Sequence, residues 1–115
     1  MEKKLIVLIK KRFPNLKLIP NDKIMLDGLE VDIGIPSLNL GIEWNGIVHF
    51  KPIYGQDKLT KIQQNDAKKQ IIAQNKKINL IVIPDLVSND AKVKEAFMSI
   101  AKIIDQLLKN KISNT

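Results

Sequence analysis

Two acidic residues, Asp32 and Glu43, are the first candidates for chemistry, because each lies in a segment where apolar and polar residues alternate. Alternation over residues 30–36 and again over 40–45 predicts two β-strands. The sequence Pro36-Ser37-Leu38-Asn39 between them predicts a tight turn. If the two middle residues of this turn form the loop, the register places Asp32 directly opposite Glu43 on the same face of the hairpin.

Two directly opposed carboxylates repel each other, and the pKa of one would rise unless a cation lay between them. A divalent ion such as Mg²⁺ removes the conflict, because it prefers oxygen ligands and leaves further positions to water and phosphate. Such an ion would activate a bound water and stabilise charge on a phosphate group. The alternative is that Asp32 and Glu43 only belong to the solvated face of an antiparallel hairpin.

The composition limits the classes of protein. The 115 residues, 44% of them hydrophobic, are enough for one compact domain, which we expect to span residues 1–115. The net charge is +7, with 19 Lys plus Arg against 12 Asp plus Glu, and this favours a polyanionic partner, nucleic acid before a membrane surface.

The absence of Cys excludes disulfides, thiolate zinc sites and cysteine nucleophiles, and it fits a reducing compartment such as the cytoplasm. No apolar run approaches the roughly 20 residues that cross a bilayer, so we expect no transmembrane segment.

Apolar spacing and turn residues predict the remaining elements: a helix at 2–12, a short strand at 23–26, a helix at 56–76, a strand at 78–83 and a last helix capped by Ser88, Asn89 or Asp90. The 78–83 segment is nearly all apolar, which predicts a strand buried on both faces in the middle of the sheet. The apolar stripe of the last helix is expected to pack on its own sheet, although part of it could form a homodimer interface. These elements predict an α/β fold, a mixed central sheet of about four strands flanked by helices in the order α-β-β-β-α-β-α.

Three blocks of the sequence carry a family resemblance. The segment LEVDIGIPSLNLGIEWNGIVHF, a following helix with Gln63, Asp66 and Lys69, and the strand INLIVIP together cover about half of the chain. In this order they resemble the PD-(D/E)xK nuclease superfamily, in particular its very-short-patch-repair-like and small phage-type endonucleases. The resemblance implies a restriction-endonuclease-like core and hydrolysis of DNA with Mg²⁺ or Mn²⁺.

Matched position by position, the resemblance makes Asp32 and Glu43 the metal ligands and His49 an active-site histidine. Glu2 would match the acid that the superfamily carries on its first helix. Asn45 occupies the place of the motif Lys, so the ammonium that would orient the attacking water is missing there. Its role would then pass to Lys69, or failing that to His49.

Several candidate residues have a simpler explanation. Gln63 and Asp66 are candidate substrate contacts with Lys51 and Lys68, but exposed lysines usually only improve solubility. Asp66 and Lys69 could form no more than an exposed ion pair with each other, since they lie three residues apart on a helix. Trp44 faces away from the acids by strand alternation and is expected in the core.

Two other functions fit the same sequence. The fold could be a non-catalytic domain that binds nucleic acid or protein, with the change at Asn45 marking lost activity. The chain could also be an unrelated basic α/β adaptor whose acids are surface decoration, without a site for divalent ions.

Overall fold

The computed structural model describes residues 2–87 and 89–113, and its elements follow the predicted order. They are α1 (Glu2–Arg12), β1 (Ile19–Leu26), β2 (Leu29–Ile35), β3 (Leu40–Asn45), α2 (Gln56–Asn75), β4 (Asn79–Pro84) and α3 (Asp90–Ser113). Short 3₁₀ helices at Pro36–Leu38 and Ile47–His49 flank β3. The predicted α/β fold with a four-stranded mixed sheet is confirmed.

The strands lie in the order β1-β2-β3-β4, and all neighbours are antiparallel except the parallel pair β3 and β4. β4 is therefore an edge strand, and the prediction that it lies in the middle of the sheet, buried on both faces, is wrong. The strand is still apolar because helices cover parts of both its faces. Ile81 and Ile83 pack into the core of α1 and α3, whereas Leu80 packs into a smaller core near α2.

β1 begins at Ile19, earlier than the predicted start at residue 23. Pro20 and Asn21 hide this part of the strand from sequence patterns, since Pro donates no hydrogen bond and Asn21 has a left-handed φ of 50°. Both are tolerated because β1 lies at the other edge of the sheet.

The hairpin of β2 and β3 has the predicted register over the pairs Ile33↔Ile42, Gly34↔Gly41 and Ile35↔Leu40, and the ladder ends before the predicted pair of Asp32 with Glu43. The chain turns through the 3₁₀ helix Pro36–Leu38, and Asn39 follows in the left-handed region with a φ of 49°. Asn tolerates this conformation better than most residues.

Most of the apolar core lies between the sheet and the helices α1 and α3. Its fully buried members include Leu5, Ile9, Ile33, Ile35, Leu40, Ile42, Ile100 and Ile104. Burying each such side chain stabilises the fold by about 1.5–3 kcal/mol. A smaller cluster around Leu26, Val31 and Ala73 lies under α2 on the opposite face. That face is thinly covered, and it is where the candidate site lies.

The stripe of α3 packs against its own chain as predicted, with Val93, Ile100 and Ile104 buried in the main core. Asn89 Oδ1 accepts the backbone N–H of Lys92 at 3.0 Å, so Asn89 caps this helix. Of the other two predicted caps, Asp90 is the first residue of the helix and Ser88 lies outside the described residues. Among the helices described, none is long and apolar enough to cross a membrane.

Gly34 of β2 lies at a position of the sheet where a side chain would not fit. A Cβ there would overlap Asp22 Oδ2, and Asp22 is buried and held by the backbone N–H groups of Ile24 and Met25 at 2.8 and 3.1 Å.

We expect Gly34→Ala to lower the free energy of unfolding by about 1–3 kcal/mol in urea titrations, because Asp22 cannot move aside freely. Gly46→Ala is the control, since a Cβ there meets nothing within 4 Å. It should change stability by less than about 0.5 kcal/mol.

Candidate functional site

The side-chain alternation of β2 changes at Asp32. Val31 packs into the core under α2, whereas Ile33 and Ile35 pack into the core under α1 and α3. The Asp32 carboxylate accepts the backbone N–H of Trp44 at 2.7 Å, just beyond the last register pair of the hairpin. Asp32 therefore lies where β2 and β3 separate, and its side chain replaces the next ladder contact.

Glu43 of β3 forms a buried ion pair with Lys69 of α2. Lys69 Nζ lies 3.1 Å from Oε2 and 3.3 Å from Oε1, and the two residues are only 8% and 4% exposed. The backbone N–H of Asp32 also lowers the pKa of the Glu43 carboxyl, although by less than Lys69 does. A lysine ammonium from the next helix thus lies at the acids of the hairpin.

Glu43, Asp32 and Glu2 have raised pKa values. Burial raises the pKa of Glu43, and the Asp32 charge raises it further, whereas Lys69 opposes both effects. Burial is also the main reason for the raised pKa of Asp32, which the Trp44 N–H and Lys69 oppose. The pKa of Glu2 on α1 is raised by burial and by the Asp32 charge, so the helix acid belongs to the same electrostatic environment.

His49 is held by two residues of α2. Its Nδ1 lies 2.8 Å from Asp66 Oδ2, and its backbone carbonyl accepts the side-chain N–H of Gln63 at 3.3 Å. This arrangement leaves Nε2 as the ring nitrogen that can exchange a proton with a ligand. The alternative in which Asp66 pairs with Lys69 is wrong, because Asp66 contacts His49 and Lys69 contacts Glu43.

A cavity of about 340 Å³ opens between β3, β4 and α2. It is lined by Glu43, Asn45, Asp66, Ala67, Lys69, Gln70, Leu80 and Val82. Asn45 is 4% exposed, and among the described residues its Oδ1 has no hydrogen-bond partner. Leaving a buried acceptor unsatisfied costs about 1–3 kcal/mol, so this oxygen is suited to a donor or a cation.

Asp32, Glu43 and Asn45 offer oxygen atoms, the ligand type that a hard divalent cation prefers, and the Oδ1 of Asn45, unpartnered among the described residues, is the one best suited to bind it. Within residues 2–87 and 89–113, no group of three or more His, Asp or Glu side chains is placed to hold a metal ion. Asp32, Glu43 and Asn45 offer three ligand groups, so an octahedral Mg²⁺ bound to them would need water or phosphate in its remaining positions.

Asp85, which follows β4, is a site residue that the sequence patterns did not reveal. It is 1% exposed, and its Oδ2 accepts the indole N–H of Trp44 at 2.9 Å. Trp44 is buried in the core, as predicted. Because Trp44 lies between Glu43 and Asn45, Asp85 helps to position both. An acid directly after an apolar strand was the available signal.

Lys51 and Lys68 are exposed, on the loop before α2 and on α2 itself. Neither is joined to the acids by an ion pair.

A comparison of the chain with protein-family models, with curated proteins and with solved structures finds no match.

The raised pKa of Asp32 has a consequence for stability. Asp32 holds its proton more tightly in the folded chain than in the unfolded chain. Its ionisation therefore opposes folding once the pH exceeds the ordinary pKa of an Asp carboxyl. We expect Asp32→Asn to raise the melting temperature near neutral pH, since an Asn oxygen can still accept the Trp44 N–H. The gain should disappear below about pH 4, where the wild-type group is protonated in both states.

Asp90→Asn is a control of opposite sign, because the hydrogen bond and charge of Lys4 lower the pKa of Asp90. Ionisation of Asp90 favours folding, so its removal should lower the melting temperature near neutral pH and have less effect in acid. A loss of stability in Asp32→Asn that is equal at all pH values would contradict the electrostatic explanation.

Proposed function

We propose that this chain is a divalent-metal-dependent nuclease that hydrolyses phosphodiester bonds in DNA. The observation that carries the proposal is the buried contact of Lys69 with Glu43 beside Asp32. In the PD-(D/E)xK pattern the motif lysine would stand where this chain has Asn45. Lys69 brings an ammonium group to the same acids from α2, so the chemical set of two carboxylates and one lysine is complete.

Asp32, Glu43 and the amide oxygen of Asn45 would hold Mg²⁺ or Mn²⁺. When bound, such an ion lowers the pKa of a coordinated water and offsets negative charge on the phosphate. The raised pKa values of Asp32 and Glu43 come mainly from burial, and a bound cation would offset the cost of keeping these buried carboxylates ionised.

Lys69 has two functions in this proposal. It keeps Glu43 ionised against the effect of burial, and its Nζ can donate a hydrogen bond to the attacking water or to a phosphate oxygen. A lysine that also contacts a ligand carboxylate is held in one position. Its ammonium is therefore oriented before the substrate arrives.

His49 is the proposed proton donor to the leaving oxygen. Asp66 fixes the ring through Nδ1, and Gln63 fixes the backbone at the same residue, so Nε2 is the atom available to the substrate. Gln63 and Asp66 then act as positioning residues, rather than as the substrate contacts that the sequence predicted.

DNA is the proposed substrate because of its charge. The net charge of +7 favours association with a polyanion, and Lys51 and Lys68 are exposed near the site. Binding through phosphate contacts of this kind weakens steeply as the salt concentration rises.

A non-catalytic domain that binds nucleic acid or protein is the second candidate. One observation favours it: Lys69 already neutralises Glu43, so the acid pair has a cation without any metal. A buried ion pair of this kind can be purely structural. The two candidates differ in whether divalent ions and intact carboxylates are needed for DNA cleavage.

The deciding experiment incubates the purified chain with single-stranded, duplex and branched DNA, with and without Mg²⁺ or Mn²⁺. We expect cleavage only with the metal. Asp32→Asn and Glu43→Gln should each lower the rate by about 100-fold or more, because each removes a carboxylate that would hold the metal. Each tenfold loss corresponds to about 1.4 kcal/mol of activation free energy.

Glu95→Gln is the matched control, since Glu95 is an exposed acid on α3, a helix that packs on the other face of the sheet. It should cleave at the wild-type rate. Asp32→Asn is the more informative of the two site variants, because it is expected to be more stable than wild type and yet inactive. Metal-independent cleavage, or full activity without both acids, would rule out the proposal.

The pH dependence of cleavage tests the function of Lys69. Removing its charge in Lys69→Met should raise the pKa of Glu43 further, so the acid limb of the rate profile should move to higher pH. The maximal rate should also fall by about 100-fold or more.

Lys69→Arg keeps the charge and should leave the acid limb closer to its wild-type position. Lys102→Met, at an exposed position of α3, removes the same charge far from the acids and should change neither quantity. If Lys69→Met leaves the acid limb in place, Glu43 is not the group whose ionisation controls the rate.

A further inference from the structure

Four apolar side chains are exposed on one short segment, the β3–α2 loop (residues 46–55). They are Ile47, Phe50, Ile53 and Tyr54. Phe50 is 43% exposed and Tyr54, the only tyrosine of the chain, is 74% exposed. Large aromatic side chains left in water forgo the free energy that burial would supply, so four exposed apolar residues on one loop make it a candidate contact surface.

The loop is ordered by its own backbone. The N–H groups of His49, Phe50, Ile53 and Gly55 donate to carbonyls two or three residues earlier, at 2.8–3.1 Å. The side chain of Gln63 bonds the carbonyl of His49 and ties the loop to α2. The aromatic rings are therefore presented on a fixed scaffold, which lowers the entropy lost when a ligand binds.

The loop begins at the candidate site. The ring of Phe50 lies 6.4 Å from that of His49, measured between centroids, and His49 bonds Asp66 at the edge of the cavity. Tyr54 follows four residues later in the chain, next to the start of α2. A ligand stacked on Phe50 would lie next to His49, one of the proposed catalytic residues.

Charge indicates what kind of ligand fits. Exposed lysines, Lys51 and Lys58, lie within and just after the apolar residues of the loop. Aromatic rings interleaved with cations suit single-stranded nucleic acid, in which bases stack on the rings and phosphates contact the lysines. A second copy of this chain is disfavoured, because each carries a net charge of +7.

We propose that the β3–α2 loop is a stacking surface for unpaired bases, with Tyr54 and Phe50 as its rings. The substrate would then be nucleic acid with a single-stranded segment beside the cleaved bond, a conclusion that rests on the nuclease function proposed above. Duplex DNA offers its base faces only at its ends, so it cannot use this surface along its length.

Binding measured without metal tests the surface separately from cleavage. Fluorescence anisotropy with EDTA compares a labelled oligothymidine with a blunt hairpin duplex of equal length. Wild type should bind the single strand more tightly. Tyr54→Ala should weaken that binding by about 5- to 150-fold, which corresponds to about 1–3 kcal/mol of stacking, and should leave duplex binding unchanged.

Tyr54→Phe keeps the ring and should bind as wild type does. Ile24→Ala removes an apolar side chain that is 85% exposed on β1 and should change neither affinity. Equal loss of single-strand and duplex affinity in Tyr54→Ala, or no loss, would overturn the stacking surface. The stacking surface would also be overturned if Tyr54→Ala reduced self-association of the chain and not its single-strand affinity. That result would assign the loop to a dimer interface.

The two proposals can fail separately. Ring-dependent single-strand binding without metal-dependent cleavage would leave the surface standing and remove the nuclease. Cleavage that requires Glu43 but proceeds equally well in Tyr54→Ala, on single-stranded and on duplex substrates, would leave the nuclease standing and remove the stacking surface.

Discussion

The structure of the site depends on one interaction, the buried ion pair between Glu43 and Lys69. A carboxylate at this depth would be unfavourable without a cation, because burial and the nearby Asp32 charge both oppose its ionisation. Since the cation comes from α2, the helix must lie across the carboxyl-terminal half of β3. The position of α2 in turn determines the cavity between β3, β4 and the helix, and brings Asp66 to His49.

The two faces of the sheet contribute differently to the stability of the fold. The face toward α1 and α3 carries most of the buried apolar residues and stabilises the fold. The face toward α2 carries the acids with raised pKa values and the unsatisfied oxygen of Asn45, all of which reduce stability. The main core offsets this cost, and strained or perturbed groups of this kind are typical of the ligand site proposed above.

The residues of α2 connect the site to the loop that precedes the helix. Gln63, Asp66 and Lys69 lie three apart, and each contacts a different group: the backbone carbonyl of His49, the His49 imidazole and the Glu43 carboxylate. One helix face therefore fixes the end of β3, the orientation of His49 and the start of the β3–α2 loop together. A substrate bound on the loop would lie next to groups already held in place by the same helix.

The amino-acid sequence by itself determined the element order, the bounds of α1, the register of the hairpin and the burial of Trp44, because periodicity reports which side chains face an apolar environment. Tertiary structure alone decided the edge position of β4, the change of alternation at Asp32, and the partners of Glu43 and Trp44. Those partners, Lys69 and Asp85, lie 26 and 41 residues away along the chain, and a local pattern carries no information on which distant residue a side chain will meet. Only the packing of α2 and β4 against β3 settles those contacts.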